Sequence, residues 1–500
     1  FEAQFELGGW TITERMRYAA NSGDFSRTFP NRVDTVANFA ASIGGAGATA
    51  RYASGPNAGQ IVPATANGNG LLALYFTSFN RAASLDNFTN DLRATRVWEV
   101  EGGKLTTTAG LYLATQDLAS TWLHTSQVID AAGGGRTAMV DIVNAAGQPQ
   151  TQNGYFAFGR GASSLFRRIF DVDYRVLAPY GSVNFHVGKL AIGGSLRYDS
   201  GRVRGQLFGA DLGGGRPGLT SFDFDRNGAI SPAEARTAFI PLDRPSPVNY
   251  DYGYLSYSAG VNYRVAEPFS LFARYSRGHR AAADKVLFTP AINPLTGGIV
   301  DADETEDDVI QYEAGFKLRR GGIAINGTVF HVEAEDQNVL NGAANATDRL
   351  YEAEGVELEG TFTRGVFNLM VAATYTQARI TEDRVGGVFT GKEPRHQPDW
   401  VFVAVPQLDF GRVAVGANIV TITGSFAQDS NLLRMPGFTT VGAYLEARPA
   451  ERMRLTLSAQ NLFDTLGIFE VNQGTVPANG IGFARAANGR TVQASLRLDF

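Results

Sequence analysis

Five hundred residues with a formal net charge of −5 and a pI near 5.7 exclude a protein that binds nucleic acid through a basic surface. Mean hydropathy is −0.12, and nothing approaches the run of about 18 apolar residues that a transmembrane helix requires. Zero Cys removes disulfides, iron–sulfur ligation and thiol catalysis, while 58 Gly, 18 Tyr and 33 Phe against 5 Met point to aromatic-rich β-structure with many turns.

The chain opens at Phe1 inside a strand pattern rather than in a signal peptide, as expected of a mature chain or of a fragment. Gly8-Gly9 marks a first tight turn, and similar turns follow at 101–103, 187–189, 265–268, 320–322, 364–365, 410–411 and 449–452. Between them lie long polar or glycine-rich stretches near 21–85, 117–172, 200–250, 279–305, 335–350, 381–394, 426–436 and 466–486. Eight such loops are foreign to a compact soluble domain. Short turns on one side and long loops on the other are the asymmetry of an outer-membrane barrel, periplasmic and extracellular respectively.

In the 200–250 loop, residues 223–234 read Asp-Phe-Asp-Arg-Asn-Gly-Ala-Ile-Ser-Pro-Ala-Glu, the spacing of a twelve-residue EF-hand loop. Asp223, Asp225 and Asn227 take positions 1, 3 and 5, Gly228 the sharp turn, and Glu234 position 12. Ala229 supplies a backbone carbonyl, Ser231 acts directly or through water, and Ile230 faces inward. Six to eight oxygens around one point suit Ca²⁺, so the expectation is a calcium site that stiffens the loop. The competing reading is an acidic loop that only looks like one. A short helix is expected from Pro232.

Period-two strands follow in order. Leu255, Tyr257, Ala259, Val261 and Tyr263 share a face, as do Phe269, Leu271, Ala273 and Tyr275. Tyr312, Ala314, Phe316 and Leu318 oppose Gln311, Glu313, Gly315, Lys317 and Arg319. Phe367 to Tyr375 and Met453 to Ala459 repeat the pattern. The last, Val492, Ala494, Leu496, Leu498 and Phe500, ends on an aromatic, as a closing barrel strand does. Stretches of about 10 residues fit tilted bilayer-spanning strands. The fold class is therefore all-β, an antiparallel transmembrane barrel of about 17 strands over residues 1–500. An odd count starting on the outer side is expected of a barrel incomplete at its N-terminus, which leaves the terminal strand without its natural partner.

Four phrases occur in order: Ser270-Leu-Phe-Ala-Arg-Tyr-Ser-Arg-Gly-His-Arg-Ala-Ala, Gln311-Tyr-Glu-Ala-Gly-Phe-Lys, Gly355-Val-Glu-Leu-Glu-Gly and Asn461-Leu-Phe-Asp. With the terminal Phe500, they resemble TonB-dependent receptors from about residue 250 to the end. Residues before 250 share only the strand and loop pattern. The resemblance implies a 22-stranded barrel in the outer membrane of a Gram-negative bacterium, closed by an N-terminal plug that an energised inner-membrane complex acts upon. Plug and first strands, about five, are expected upstream of Phe1. The implied partners are outer-membrane lipid and lipopolysaccharide, the TonB complex through that plug, and a small-molecule ligand. Ferric siderophores are the commonest ligands among relatives; cobalamin, carbohydrates and other metal chelates are also represented.

Chemistry outside the calcium loop is sparse. His124, His186, His279, His331 and His396 show no ligand spacing for zinc. Gly213-Gly-Gly-Arg-Pro-Gly lacks the Lys-Ser or Lys-Thr of a phosphate loop, and no Gly-x-Ser-x-Gly elbow exists. Arg274, Glu313, Lys317, Glu357 and Glu359 read as a wet inner wall rather than a catalytic set. Trp122 with Leu123 and His124 is placed in the 117–172 loop, where contact with a ligand is the alternative to plain loop packing. No enzyme is expected. The functions left are energy-coupled uptake, a passive plugless channel, and, lacking any catalytic cluster or oversized loop domain, an outer-membrane enzyme or adhesin last.

Overall fold

The computed structural model describes the chain except residues 159–166, 210–217, 282, 288–290, 301–304, 340–345, 472–478 and 500. Phe500 is thus outside the described residues. Strands Glu2–Leu7, Trp10–Ala19, Asn87–Val100, Gly103–Asp130, Arg168–Val187, Leu190–Gly209, Ser246–Ala266, Phe269–Ala281 and Glu306–Arg320 pair antiparallel in that order. The row continues through Ile323–Val339, Ala346–Arg364, Phe367–Asp383, Trp400–Asp409, Val413–Ile422, Phe438–Ala450, Met453–Gln460 and Thr491–Leu498. That makes seventeen wall strands among the described residues. Among the described residues, the first and last are not paired with each other.

The wall has two chemically distinct faces because successive side chains alternate. Ile192, Val261, Ala273, Ala314, Val329, Val356 and Tyr375 lie in cross-strand register, one apolar row over seven strands. On the opposite face, Ser182, Ser195, Ser258, Ser276 and Gln311 form a polar row. The apolar face is the lipid face. Aromatic side chains border it at both ends. Tyr275 and Tyr312 have ring centroids 5.0 Å apart and Tyr375 and Trp400 4.8 Å apart on the loop side, with Trp10–Trp98 at 5.9 Å and Phe269–Phe316 at 6.1 Å on the turn side. Among the described residues no helix is long and apolar enough to cross a membrane.

All eight expected short turns join neighbouring wall strands. Gly8 and Gly9 have φ of +58° and +80°, the left-handed pair that a two-residue hairpin needs and that a side chain would strain. The long loops differ from expectation: much of them is folded. Gly103–Asp130 runs 28 residues, far more than the roughly 9–11 that cross a bilayer. It pairs with Asn87–Val100 up to Gln116 and then with Leu71–Ser84 from Ala119 onward. Trp122 and His124, expected in a loop, are therefore strand residues.

Above the membrane band the apolar side changes face. On Arg168–Val187, Val183 and Leu177 face lipid, but higher up Arg175 takes that face, in register with Arg202 and Asp251. The inward face there carries Phe170, Val172, Val203, Leu207 and Val248, all at most 2% exposed. Val286 and Ile292, from the 279–305 loop, pack onto them from inside. A second core lies on Leu71–Ser84 and the upper part of Gly103–Asp130, where helix Val36–Gly44 packs Val36, Phe39 and Ala40 against Leu72, Val128 and Ile142. Thr35 Oγ1 caps that helix by accepting from the Asn38 amide at 3.3 Å.

Candidate functional site

Two cavities of about 670 and 530 Å³ meet at Tyr112 on the inner face. Asp91, Tyr180, Arg197, Arg274 and Gln311 line the first; Asn87, Gln116, Tyr174, Tyr252 and Asp284 line the second. Strand alternation aims these side chains into the lumen rather than at lipid. Arg197 is held by a bidentate pair to Asp199, at 2.8 and 2.7 Å, and its guanidinium lies 5.0 Å from the Tyr112 ring centroid. Tyr180 donates to Asp91 at 2.6 Å.

The short 3₁₀ turn Ala283–Leu287 roofs the second cavity. It is tied down where the Tyr174 hydroxyl donates to the Ala283 carbonyl at 3.1 Å and Arg168 Nη1 to the Leu287 carbonyl at 2.8 Å. Rigid phenol rings, amides and oriented guanidinium groups give the chamber flat apolar contact area with hydrogen-bonding edges. That suits holding a small molecule. Of the inner-wall residues singled out from sequence, Arg274 reaches this chamber. Glu313 accepts from Gln311 Nε2 at 3.0 Å, and Lys317, Glu357 and Glu359 lie on the same inner face farther toward the turns. Trp122 packs edge-on to Phe170 at 5.3 Å, and His124 is buried. Tyr112, Tyr174, Tyr180 and Arg197 were missed because alternation alone does not say which inward residues meet across strands.

The 223–234 loop folds much as its spacing demands. Asp223 accepts from the amides of Asn227 (3.1 Å) and Gly228 (2.8 Å), and Asn227 Oδ1 accepts from the Ala229 amide at 2.8 Å. Gly228 has φ of +82°. Ligand atoms of Asp223, Asp225 and Glu234 lie within 4.8 Å of one another. The expected helix is a single 3₁₀ turn, Glu234–Arg236. Ile230 does not face inward. It is 48% exposed.

Glu234 is fully buried. Burial raises its pKa, but hydrogen bonds from the Ser231 and Phe224 amides outweigh it, leaving the carboxyl below its ordinary value. One participant was invisible in sequence. Gln152 Nε2 donates to Asp225 at 2.7 Å and to Glu234 at 3.3 Å, while its Oε1 accepts from Ser231 Oγ at 2.5 Å. Phe158 stacks on Phe224 at 4.2 Å beside it. The loops around 152 and 223 are one unit.

Strand pairing also assembles a cluster that linear spacing concealed. His331 Nδ1 lies 3.3 Å from Glu354 Oε1 and Nε2 lies 3.3 Å from Glu333 Oε1, with Glu352 4.0 Å away. The group sits on the lipid-side face beside Tyr312.

Residues 4–462 match the sequence profile of the family described as TonB dependent receptor-like, beta-barrel. No curated protein matches the chain in sequence. Among solved structures, the ferric yersiniabactin uptake receptor of Yersinia pestis is similar at 11% identity and a TM-score of 0.52, over 98% of this chain and 71% of that one. The ferric preacinetobactin receptor of Acinetobacter baumannii gives 12% and 0.53, over 98% and 64%. The closed form of the ferric-catecholate import receptor of E. coli K12 gives 13% and 0.51, over 99% and 73%. At these identities the likeness establishes the fold alone.

Proposed function

Because the chain belongs to the TonB dependent receptor-like β-barrel family, outer-membrane proteins of Gram-negative bacteria, we propose that it is the wall of an energy-coupled importer for a scarce ligand, a ferric siderophore or similar metal chelate. The observation that carries this reading is the inner chamber of Tyr112, Tyr174, Tyr180, Tyr252, Arg197 and Arg274. Chelates of this class present flat rings or carboxylates, which phenols and guanidinium groups accept by stacking and charge-assisted hydrogen bonds. The three solved structures named above are receptors or importers of ferric ligands by name, but they share only the fold with this chain, so the chamber carries the ligand class. Coupling would reach the wall through a plug domain N-terminal to residue 1, and lipid and lipopolysaccharide would surround its outer face.

Titration of the folded chain in detergent with ferric catecholate, ferric hydroxamate and cobalamin, followed by tryptophan fluorescence, tests this. A ferric chelate should bind, and Arg197→Ala should weaken it about tenfold or more, the scale of one lost charge-assisted contact. Binding of cobalamin alone, or Arg197→Ala binding the chelate as tightly as the parent, contradicts the proposal.

The 223–234 loop is proposed to hold Ca²⁺ through Asp223, Asp225, Asn227, the Ala229 carbonyl, Ser231 and Glu234. What supports it is the convergence of three carboxylate oxygens within 4.8 Å of one another, the hard oxygen donors such a cation takes. Its role is to stiffen the external loops.

A further inference from the structure

On the lipid-side face, strands Ile323–Val339 and Ala346–Arg364 set four ionisable side chains in a square. His331 is in register with Glu354, and Glu333 is in register with Glu352. Residues two apart on a strand share a face, so all four point outward together. The His331–Glu354 pair stands one step above the lipid-facing pair Val329 and Val356, in the row of Tyr275 and Tyr312 that borders the membrane on the loop side. Glu333 and Glu352, directly opposite each other, repel. Glu352 has Arg379 at 3.6 Å, while among the described residues Glu333 and Glu354 have only the imidazole as an ion-pair partner. Three carboxylates and one guanidinium thus leave two negative charges around a single imidazole.

Both ring nitrogens are engaged, and differently. Nδ1 lies 3.3 Å from Glu354 Oε1 and 4.0 Å from Glu352 Oε1, and ligand atoms of the three residues are all within 4.8 Å of one another. Zinc takes nitrogen and oxygen ligands at about 2.0–2.2 Å, which sets them roughly 3.4 Å apart around a tetrahedral ion. The Nδ1–Glu354 separation is already near that value, and a small rotation of the Glu352 carboxylate closes the rest. On the far side of the ring, Glu333 Oε1 lies 3.3 Å from Nε2. A carboxylate on the nitrogen opposite a metal fixes the tautomer and makes the coordinating nitrogen more basic. One imidazole and two carboxylates, open outward to water, suit a zinc-class ion; Ca²⁺ takes oxygen ligands alone.

We propose that His331, Glu352 and Glu354 bind a divalent transition-metal ion of the zinc class at the outer rim of the wall, with Glu333 as a positioning residue. The ion joins two neighbouring strands at the loop-side border of the membrane. The site is independent of the ligand read in the tyrosine chamber and of the 223–234 loop.

The test is isothermal titration of the folded full chain, free of any polyhistidine tag, with Zn²⁺ in detergent and excess Ca²⁺. Zn²⁺ should bind, and Co²⁺ in its place should give visible absorption bands. His331→Gln should weaken Zn²⁺ binding about tenfold or more and remove the Co²⁺ bands, and Glu354→Gln should weaken binding by a similar factor. Glu333→Ala should weaken it about tenfold, and Glu333→Gln, which keeps an acceptor oxygen for Nε2, should recover most of that loss. His186→Gln, at the short-turn end of its strand, should bind as the parent does. None of the four outward side chains is buried, and retained heat-modifiable gel mobility identifies the variants that fold. Absence of Zn²⁺ binding in excess Ca²⁺ overturns the proposal and leaves the imidazole an ordinary partner of its carboxylates. A folded His331→Gln variant that binds Zn²⁺ as tightly as the parent overturns it as well.

Discussion

Gln152 and Glu234, 82 residues apart in sequence, meet side chain to side chain, with Gln152 Nε2 3.3 Å from Glu234 Oε1. The same amide nitrogen is 2.7 Å from Asp225. A side chain from one external loop thus sits on the carboxylates of another, and an ion held by those carboxylates would order both loops. With Ca²⁺ present, the 200–250 loop should resist protease, and Asp223→Ala with Glu234→Ala should abolish that protection. Gln152→Ala should keep calcium-dependent protection at 200–250 and lose it around 140–158. Equal protection of both segments in the double variant would refute the calcium reading.

Acid should loosen this unit. The Glu234 carboxyl is held below its ordinary value of 4.5, so its contribution to the fold is full above that value and fades as pH falls through the lowered one. Proteolysis of the calcium-free chain by a protease active in acid should stay slow down to about pH 4.5 and quicken at the 223–234 loop below it. Glu234→Gln should flatten the transition. A transition of the same size in that variant would show another group to be responsible.

Arg349 anchors a third group of loops. Its side chain is 6% exposed and makes ion pairs with Asp429 at 2.7 Å and Asp383 at 3.4 Å, whose side chains are 9% and 2% exposed. The Phe389 ring centroid lies 4.7 Å from its guanidinium. Arg349→Ala leaves buried Asp383 without its cation and Asp429 with only Arg395, 3.8 Å away, a loss on the order of 3 kcal/mol to local stability. Hydrogen exchange should rise at 381–394 and 426–436 while the membrane strands stay protected. Unchanged exchange there would mean that the ion pairs are not what holds these loops.

The inner loop is fixed by packing. Ile292 is 1% exposed against Phe170, Val203 and Leu207, and Ile292→Ala should cost about 2–4 kcal/mol locally. Cleavage within 283–300 should follow, with the wall intact.

The membrane wall was legible in sequence because one rule governs it. Lipid on one side and water on the other force period two, as in Leu255 to Tyr263, and glycine pairs such as Gly8-Gly9 mark the hairpins. Seventeen strands and eight short turns follow from that rule alone. It fails above the membrane, where Phe170, Val172 and Val203 turn inward onto Val286 and Ile292 and the outward positions Arg175 and Arg202 meet water. There the alternation persists with the faces exchanged, so strand residues Trp122 and His124 read as loop. The EF-hand spacing located Asp223 to Glu234, yet Gln152 carries no motif, and His331 meets Glu333 and Glu354 only through strand pairing. Both depend on contacts that linear spacing does not encode.

The central claim is energy-coupled import through this wall, and uptake of radiolabelled ferric chelate by cells tests it most directly. Cells carrying the native gene should accumulate label, lose accumulation when a protonophore collapses the inner-membrane gradient, and lose it equally when the gene is deleted. Accumulation that depends on the gene but persists unchanged with the protonophore would contradict the account and identify a passive channel.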